Sequence, residues 1–123
     1  MKKIMLILLV AAAGTGAKAQ FSGTKWKTTL QLDSPIDVIF DFRKDTVDAI
    51  TADNNMLLET SLYTVKDSVL TLQKINGQSD CDGNTIGKYK FEIKGDAMQV
   101  TLIEDDCYNR SAVLNNITWE RMK

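Results

Sequence analysis

The sequence predicts an all-β domain: an antiparallel up-and-down barrel of about eight short strands, with one short helical turn near 108–114. Apolar and polar residues alternate with period two along much of the chain, which places apolar side chains on one face of each strand. Turn residues such as Gly95 and Asp96 separate the alternating segments. A barrel gives such one-sided strands a shared interior and leaves no exposed edge. A two-sheet sandwich would satisfy the same pattern.

The strands follow from the positions of the apolar residues. In chain order, the residues that define the clearest strands are Trp26, Leu30 and Leu32; Ile36, Val38, Phe40 and Phe42; Leu70 and Leu72; Tyr89, Phe91 and Ile93; Met98, Val100 and Leu102; and Ile117 and Trp119. With two less clearly patterned segments added, strands are predicted at 25–32, 36–43, 46–51, 56–65, 69–75, 86–94, 98–104 and 117–122.

Two irregular features are predicted within this framework. The apolar phase shifts between Leu58 and Tyr63, which indicates a β-bulge. Residues 108–114 can form one or two helical turns, with Asp105 or Asp106 as the N-cap.

The first residues are typical of a secretory signal peptide, predicted at 1–19. Lys2 and Lys3 precede the apolar run Ile4–Ala13, which is too short to span a bilayer, and Ala17-Lys18-Ala19 is a small-x-small cleavage pattern. Cleavage before Gln20 leaves one domain, 20–123. We therefore expect an exported, soluble protein, periplasmic or extracellular, without a membrane anchor, because no cysteine available for lipid attachment precedes Cys81.

The two cysteines, Cys81 and Cys107, are expected to form a disulfide, as a lone pair in an exported chain usually does. Chain-entropy arguments give such a loop, of about 27 residues, roughly 3.5 kcal/mol of stabilisation. Two buried free thiols are the alternative.

Composition argues against several functions. The chain has a net charge of −1 and no block of Lys or Arg, so neither nucleic acid nor an anionic membrane surface is an expected partner. It contains no histidine, which removes the commonest general base and the usual zinc ligand. A pair of carboxylates could still support glycoside hydrolysis, but no spacing selects such a pair. We expect neither an enzyme nor a bound cofactor.

The segment Asp80–Asn84 begins like a calcium loop. Read as an EF-hand, however, it has Thr85 where glycine is required and Phe91 where a bidentate glutamate is required. A looser oxygen site is the alternative, because a Cys81–Cys107 disulfide would bring Asp80 and Asp82 near Asp105 and Asp106. No metal site is predicted.

The segment Gly23-Thr24-Lys25-Trp26 resembles the start of the first strand in lipocalin-like (calycin) domains. The segments Phe40–Phe42, Tyr63–Val65 and Val69–Leu72, Gly87–Tyr89 with Asp106-Cys107 and Arg110, and Trp119–Arg121 are similar to patterns in small bacterial exported members of that family. The resemblance implies an eight-stranded barrel. It also implies structural roles for Gly23, Trp26 and Arg121, with Arg121, or else Arg110, packing across the tryptophan as a cation–π contact.

The leading functional hypothesis is non-catalytic binding of a small apolar or amphipathic ligand inside the barrel. Five aromatic residues on the predicted inward face are the candidate ligand contacts: Phe40, Phe42, Tyr63, Tyr89 and Phe91. The alternative is a solid barrel filled by these same side chains. It would act as a protein–protein interaction module, an inhibitor or envelope accessory factor, through the loops Ser79–Thr85 and Asp105–Arg110.

Overall fold

Eight strands and one helix make up the part of the chain that the computed structural model describes, residues 21–123. The elements are β1 Lys25–Gln31, β2 Pro35–Phe42, β3 Thr46–Thr51, β4 Leu57–Lys66, β5 Val69–Gly77, β6 Ile86–Lys94, β7 Ala97–Asp105, α1 Tyr108–Leu114 and β8 Ile117–Arg121. Every predicted strand is confirmed, with ends that differ by two residues at most. The predicted signal peptide and the cleavage before Gln20 lie outside the described residues.

Each strand pairs antiparallel with the next, and β8 closes on β1, so the sheet is a closed up-and-down barrel rather than a sandwich. The pairing of β1 with β8 is short: Trp26 lies opposite Arg121, and Lys27 opposite Glu120. We call this pairing the seam. The Thr28 hydroxyl extends it by donating to the carbonyl of Thr118 at 2.9 Å.

The predicted bulge in β4 is confirmed. Ala49 of β3 pairs with Glu59 and Ile50 pairs with Leu57, so Leu58 is the extra residue that shifts the apolar phase. A second register shift, between Thr60 and Ser61, occurs where β4 pairs with β5. These irregularities bend the strand and change which side chains face inward.

One end of the barrel is sealed by the turn that precedes β1. Phe21 is fully buried there, and its ring lies edge-on to Phe42 and Phe91, with both centroids 4.9 Å away. The Thr24 hydroxyl donates to the Phe21 carbonyl at 2.6 Å and accepts from the Trp26 indole N–H at 2.9 Å. These contacts fix Phe21 as an apolar plug at what we call the closed end.

The helix α1 has the predicted bounds, but the prediction that Asp105 or Asp106 caps it is wrong. The N-cap position is Cys107, whose side chain makes no capping hydrogen bond. Asp105 instead accepts a hydrogen bond from the Cys107 backbone N–H at 2.9 Å, one residue before the helix begins. Its other hydrogen bonds hold it in the interior.

Candidate functional site

The barrel contains a cavity of about 670 Å³ at the end opposite Phe21. Its mouth lies where the β1–β2 turn, the β5–β6 loop and α1 meet, since these connections share one end of an up-and-down barrel. The apolar lining comes from inward-facing strand residues and one face of the helix: Leu30, Phe40, Phe42, Val47, Leu58, Leu72, Val113, Leu114 and Trp119. The opposite end of the barrel is occupied by the buried ring of Phe21, which packs against Phe42 and Phe91.

Two aromatic rings form one wall. Phe40 of β2 and Trp119 of β8 stack face to face, with centroids 4.3 Å apart and planes inclined by 6°. Trp119 is 1% exposed, and its indole Nε1 has no hydrogen-bond partner. The wall therefore combines a flat apolar surface with a buried, unused N–H donor.

Arg110 is the cationic side chain among the described residues that line the cavity. Its guanidinium donates to both carboxylate oxygens of Asp105: Nε to Oδ2 at 2.6 Å and Nη2 to Oδ1 at 2.9 Å. Their side chains are 5% and 0% exposed. The Tyr89 hydroxyl also donates to Asp105 Oδ2, at 2.5 Å. A buried ion pair is tolerated where its remaining hydrogen-bonding groups are satisfied, and here the carboxylate is fully engaged while one guanidinium nitrogen is not.

That nitrogen is Arg110 Nη1. Among the buried side-chain nitrogen and oxygen atoms of residues 21–123, Arg110 Nη1 and Trp119 Nε1 are the two without a hydrogen-bond partner. Both belong to residues that line the cavity. Buried polar atoms in folded proteins are nearly always paired, so these two need an explanation.

The network shifts the titration of its members. Burial of Asp105 alone would raise its pKa, but the hydrogen bonds from Arg110, Tyr89 and the Cys107 backbone, with the Arg110 charge, together lower it. Burial first, and then Asp105, raise the pKa of Tyr89 against the opposing effect of Arg110. Burial works against the charge of Arg110, yet Asp105 holds its pKa above the usual value. At neutral pH the pair is ionised and the phenol is neutral.

The helix that carries Arg110 is tied to the β5–β6 loop in three ways. The predicted Cys81–Cys107 disulfide is confirmed, with Cα atoms 5.4 Å apart. The Asn109 amide donates to Asp80 at 3.1 Å, and Arg110 Nη2 donates to the carbonyl of Thr85 at 3.1 Å. The disulfide thus fixes the helix that forms part of the cavity mouth.

The structure divides the five predicted ligand contacts into two groups. Phe40 and Phe42 line the cavity. Tyr63, Tyr89 and Phe91 do not: Phe91 packs on Phe21, Tyr63 lies edge-on to Phe42 at 5.0 Å, and Tyr89 reaches Asp105. Alternation places all five inside the barrel, but it does not give their height along the barrel axis.

The residues assigned structural roles occupy the end where β1 begins. Trp26 is buried with its N–H bonded to Thr24, and Gly23 has φ +82° in the turn behind Phe21. Arg121 lies opposite Trp26 in the seam but is exposed, so a cation–π contact between them stays a prediction. Arg110, the second candidate for that contact, is engaged with Asp105 instead.

Sequence reasoning missed Arg110, Trp119 and Leu58 as cavity residues. In the sequence pattern Trp119 defines the last strand and receives no site role, and Leu58 marks only the bulge. Arg110 carried one usable signal, an arginine five residues after a carboxylate at a helix start, but the spacing alone does not predict burial.

Two of the carboxylates near the disulfide, those of Asp80 and Asp105, are engaged by protein hydrogen-bond donors. Asp105 is engaged by Arg110 and Tyr89, and Asp80 accepts from Asn109. Within residues 21–123, no group of three or more His, Cys, Asp or Glu side chains is placed to hold a metal ion.

A scan against protein-family models found no match, and searches of curated proteins and of solved structures also found none. Within the described part of the chain, no helix has both the length and the apolar character needed to cross a membrane. The fold itself is an eight-stranded antiparallel barrel, which is consistent with the lipocalin-like resemblance.

Proposed function

We propose that this protein is a non-catalytic binding protein of lipocalin-like type that holds a small apolar or amphipathic ligand in its barrel. The observation that supports this most is the cavity of about 670 Å³. Ligand sites in proteins are typically concave, mostly apolar and about 300–1,000 Å³ in volume. Burial of the ligand's apolar surface against Phe40, Leu58 and Trp119 would supply the binding free energy.

The confirmed disulfide supports the companion proposal that the protein is exported, because disulfides persist mainly in oxidising compartments. A periplasmic or extracellular carrier would meet its ligand there. No residue is assigned a chemical step, and the network of Arg110, Asp105 and Tyr89 serves to bind and position.

The first experiment is native mass spectrometry of the protein purified gently from the exported fraction of its host, compared with its denatured mass. A reproducible small adduct that is lost on denaturation supports the binding function and gives the ligand's mass. A bare chain that also fails to take up the neutral fluorescent probe N-phenyl-1-naphthylamine in a saturable way contradicts it.

A filled-cavity variant sharpens the test. Ala49 lines the cavity, so Ala49→Trp places a large side chain inside it. Thr101→Trp is the matched control, since Thr101 is exposed on β7. Loss of probe uptake in the first variant only, with both folded by circular dichroism, locates binding inside the barrel.

A second candidate function is supported by the exposed Tyr108. This aromatic is 77% exposed beside the disulfide, where the loops Ser79–Thr85 and Asp105–Arg110 meet. Rigid loops with an exposed tyrosine are suited to protein recognition. A second polypeptide in the native ion, lost in Tyr108→Ser, would favour this interaction module over the carrier.

A further inference from the structure

We propose that the cavity selects an uncharged amphiphile whose polar head accepts hydrogen bonds from Arg110 and Trp119, and that it binds the carboxylate analogue of the same ligand more weakly. This inference rests on the proposed binding function and specifies its ligand class.

Two buried hydrogen-bond donors in the cavity lining have no partner in the part of the protein that the structure describes. Arg110 and Trp119 are each at least nine-tenths buried, both line the cavity, and each keeps one N–H-bearing nitrogen without a partner. Both unsatisfied atoms are donors. An apolar ligand would leave them unpaired, whereas a carbonyl, ester, ether or hydroxyl oxygen would satisfy them. The head group must therefore contain an acceptor.

The charges decide what kind of acceptor fits. Arg110 is the sole cationic residue in the cavity lining described here, and Asp105 already binds it through two hydrogen bonds. The remaining charged lining residues, Asp33, Glu59 and Asp80, are all acidic. Lys74 lies nearby but donates to the Ser79 carbonyl and is not part of the lining.

Glu59 lines the same cavity as Arg110, and its negative charge makes a small contribution to the raised pKa of that guanidinium, so it also acts on a ligand head placed there. Its carboxylate accepts from the Ser79 hydroxyl at the mouth. A carboxylate ligand would enter a region where acidic groups already outnumber the single base. It would lose its hydration there, and its attraction to Arg110 would not offset that desolvation penalty. A neutral acceptor avoids both costs.

The experiment uses ligands with the same chain and different heads: methyl dodecanoate, 1-dodecanol, dodecanoate and dodecane. Each displaces N-phenyl-1-naphthylamine from the purified protein at neutral pH. We expect the ester and the alcohol to bind at least about tenfold more tightly than dodecanoate, because repulsion from a like charge that lines the same partly buried site costs that much or more. Dodecane should bind more weakly than the ester.

Glu59→Gln tests the charge argument, since glutamine keeps an acceptor for Ser79. It should improve dodecanoate binding several-fold relative to its effect on the ester. Glu104→Gln is the control, because Glu104 is exposed on β7 and does not line the cavity. Trp119→Phe keeps the stacked ring but removes Nε1–H, and should weaken the ester more than dodecane.

The outcomes separate the two proposals. Dodecanoate that binds as tightly as the ester, or a Glu59→Gln variant without effect on it, overturns the selectivity while probe uptake still supports a binding barrel. If neither the probe nor any of the four ligands binds, the proposed function fails, and this inference fails with it.

Discussion

A Cβ atom on Gly87 would lie 2.6 Å from Oδ2 of Asp105 and 3.0 Å from Nε of Arg110. The glycine of β6 thus leaves the space that the buried ion pair occupies. Tyr89, two residues along the strand, donates its hydroxyl to the same carboxylate oxygen. Residues that the family resemblance grouped only as a recurring pattern, Gly87, Tyr89 and Arg110, therefore meet around one carboxylate.

Gly87→Ala should destabilise the protein by about 1–3 kcal/mol, the usual cost of overpacking a close-packed interior. The carboxylate cannot move aside easily, since Arg110, Tyr89 and the Cys107 N–H all hold it. Urea unfolding measures the change. Gly83→Ala is the control, because its Cβ would meet its nearest neighbour, the Lys74 carbonyl, at an ordinary 3.4 Å. Equal effects of the two variants would contradict this account of Gly87.

Asp105 should make stability fall in acid. Its pKa is lowered in the folded state from an ordinary 3.8. The unfolded chain therefore takes up the proton first, and the Asp105 contribution is complete above the ordinary pKa. It is lost as the pH falls from there through the lower folded pKa. Urea unfolding as a function of pH measures this loss.

In Asp105→Asn the part of the acid dependence that comes from this carboxyl should vanish. The variant should also be about 3–5 kcal/mol less stable near neutral pH, because it leaves the Arg110 charge buried without a counter-charge. Asp96→Asn, at an exposed turn, is the matched control. If the loss of stability at low pH is the same in Asp105→Asn as in the parent protein, other carboxyl groups cause that loss.

Opening the disulfide should lower the free energy of unfolding by roughly 3.5 kcal/mol on the chain-entropy estimate for a loop of this length. Its two cysteines are 26 residues apart in sequence. The measurement compares urea unfolding of the oxidised protein, the protein in dithiothreitol, and the Cys81→Ala/Cys107→Ala variant. The reduced protein and the double variant should have the same free energy of unfolding. A reduced protein as stable as the oxidised one would show that the disulfide does not stabilise the fold.

Phe40 and Phe91 form a matched pair for testing the cavity, since each is 7% exposed. Phe91 packs edge-on to Phe21 in the closed end, so Phe91→Ala should cost about 3–5 kcal/mol, as a new void in a filled core does. Phe40 borders a cavity that is already present, so Phe40→Ala should cost less and should weaken probe binding. Equal stability losses, with probe binding unaffected by Phe40→Ala, would indicate a solid interior.

The alternation of apolar residues was enough to predict the strands, and the phase shift at Leu58 was enough to predict the bulge, because both depend on local geometry. The alternation did not predict the position of Leu32 correctly, because it placed Leu32 in the first strand with Trp26 and Leu30. The structure leaves it 50% exposed after β1 has ended. A period-two pattern says which face a side chain takes, not where the strand stops.

The candidate site was harder to predict because it depends on position along the barrel axis and on contacts distant in sequence. Phe21 lies before the first strand in a turn, where no periodicity marks it as core, yet its ring packs against Phe91, where a ligand contact was predicted. An arginine on a short helix is expected to be exposed to solvent, and the sequence does not show that the fold buries Arg110 against Asp105.

The seam between β1 and β8 has a consequence for how the barrel forms. Every other strand pairing joins neighbours in sequence through a hairpin or a short connection, whereas the seam joins residues such as Thr28 and Thr118, 90 positions apart. Local hairpins form quickly, whereas pairings between distant residues form more slowly because closing a long loop lowers the conformational entropy of the chain. We therefore expect an open, curved sheet with β1 and β8 as free edges to precede the native state. The cavity comes into existence only at the final closure, so any occupant would slow the reopening of the seam.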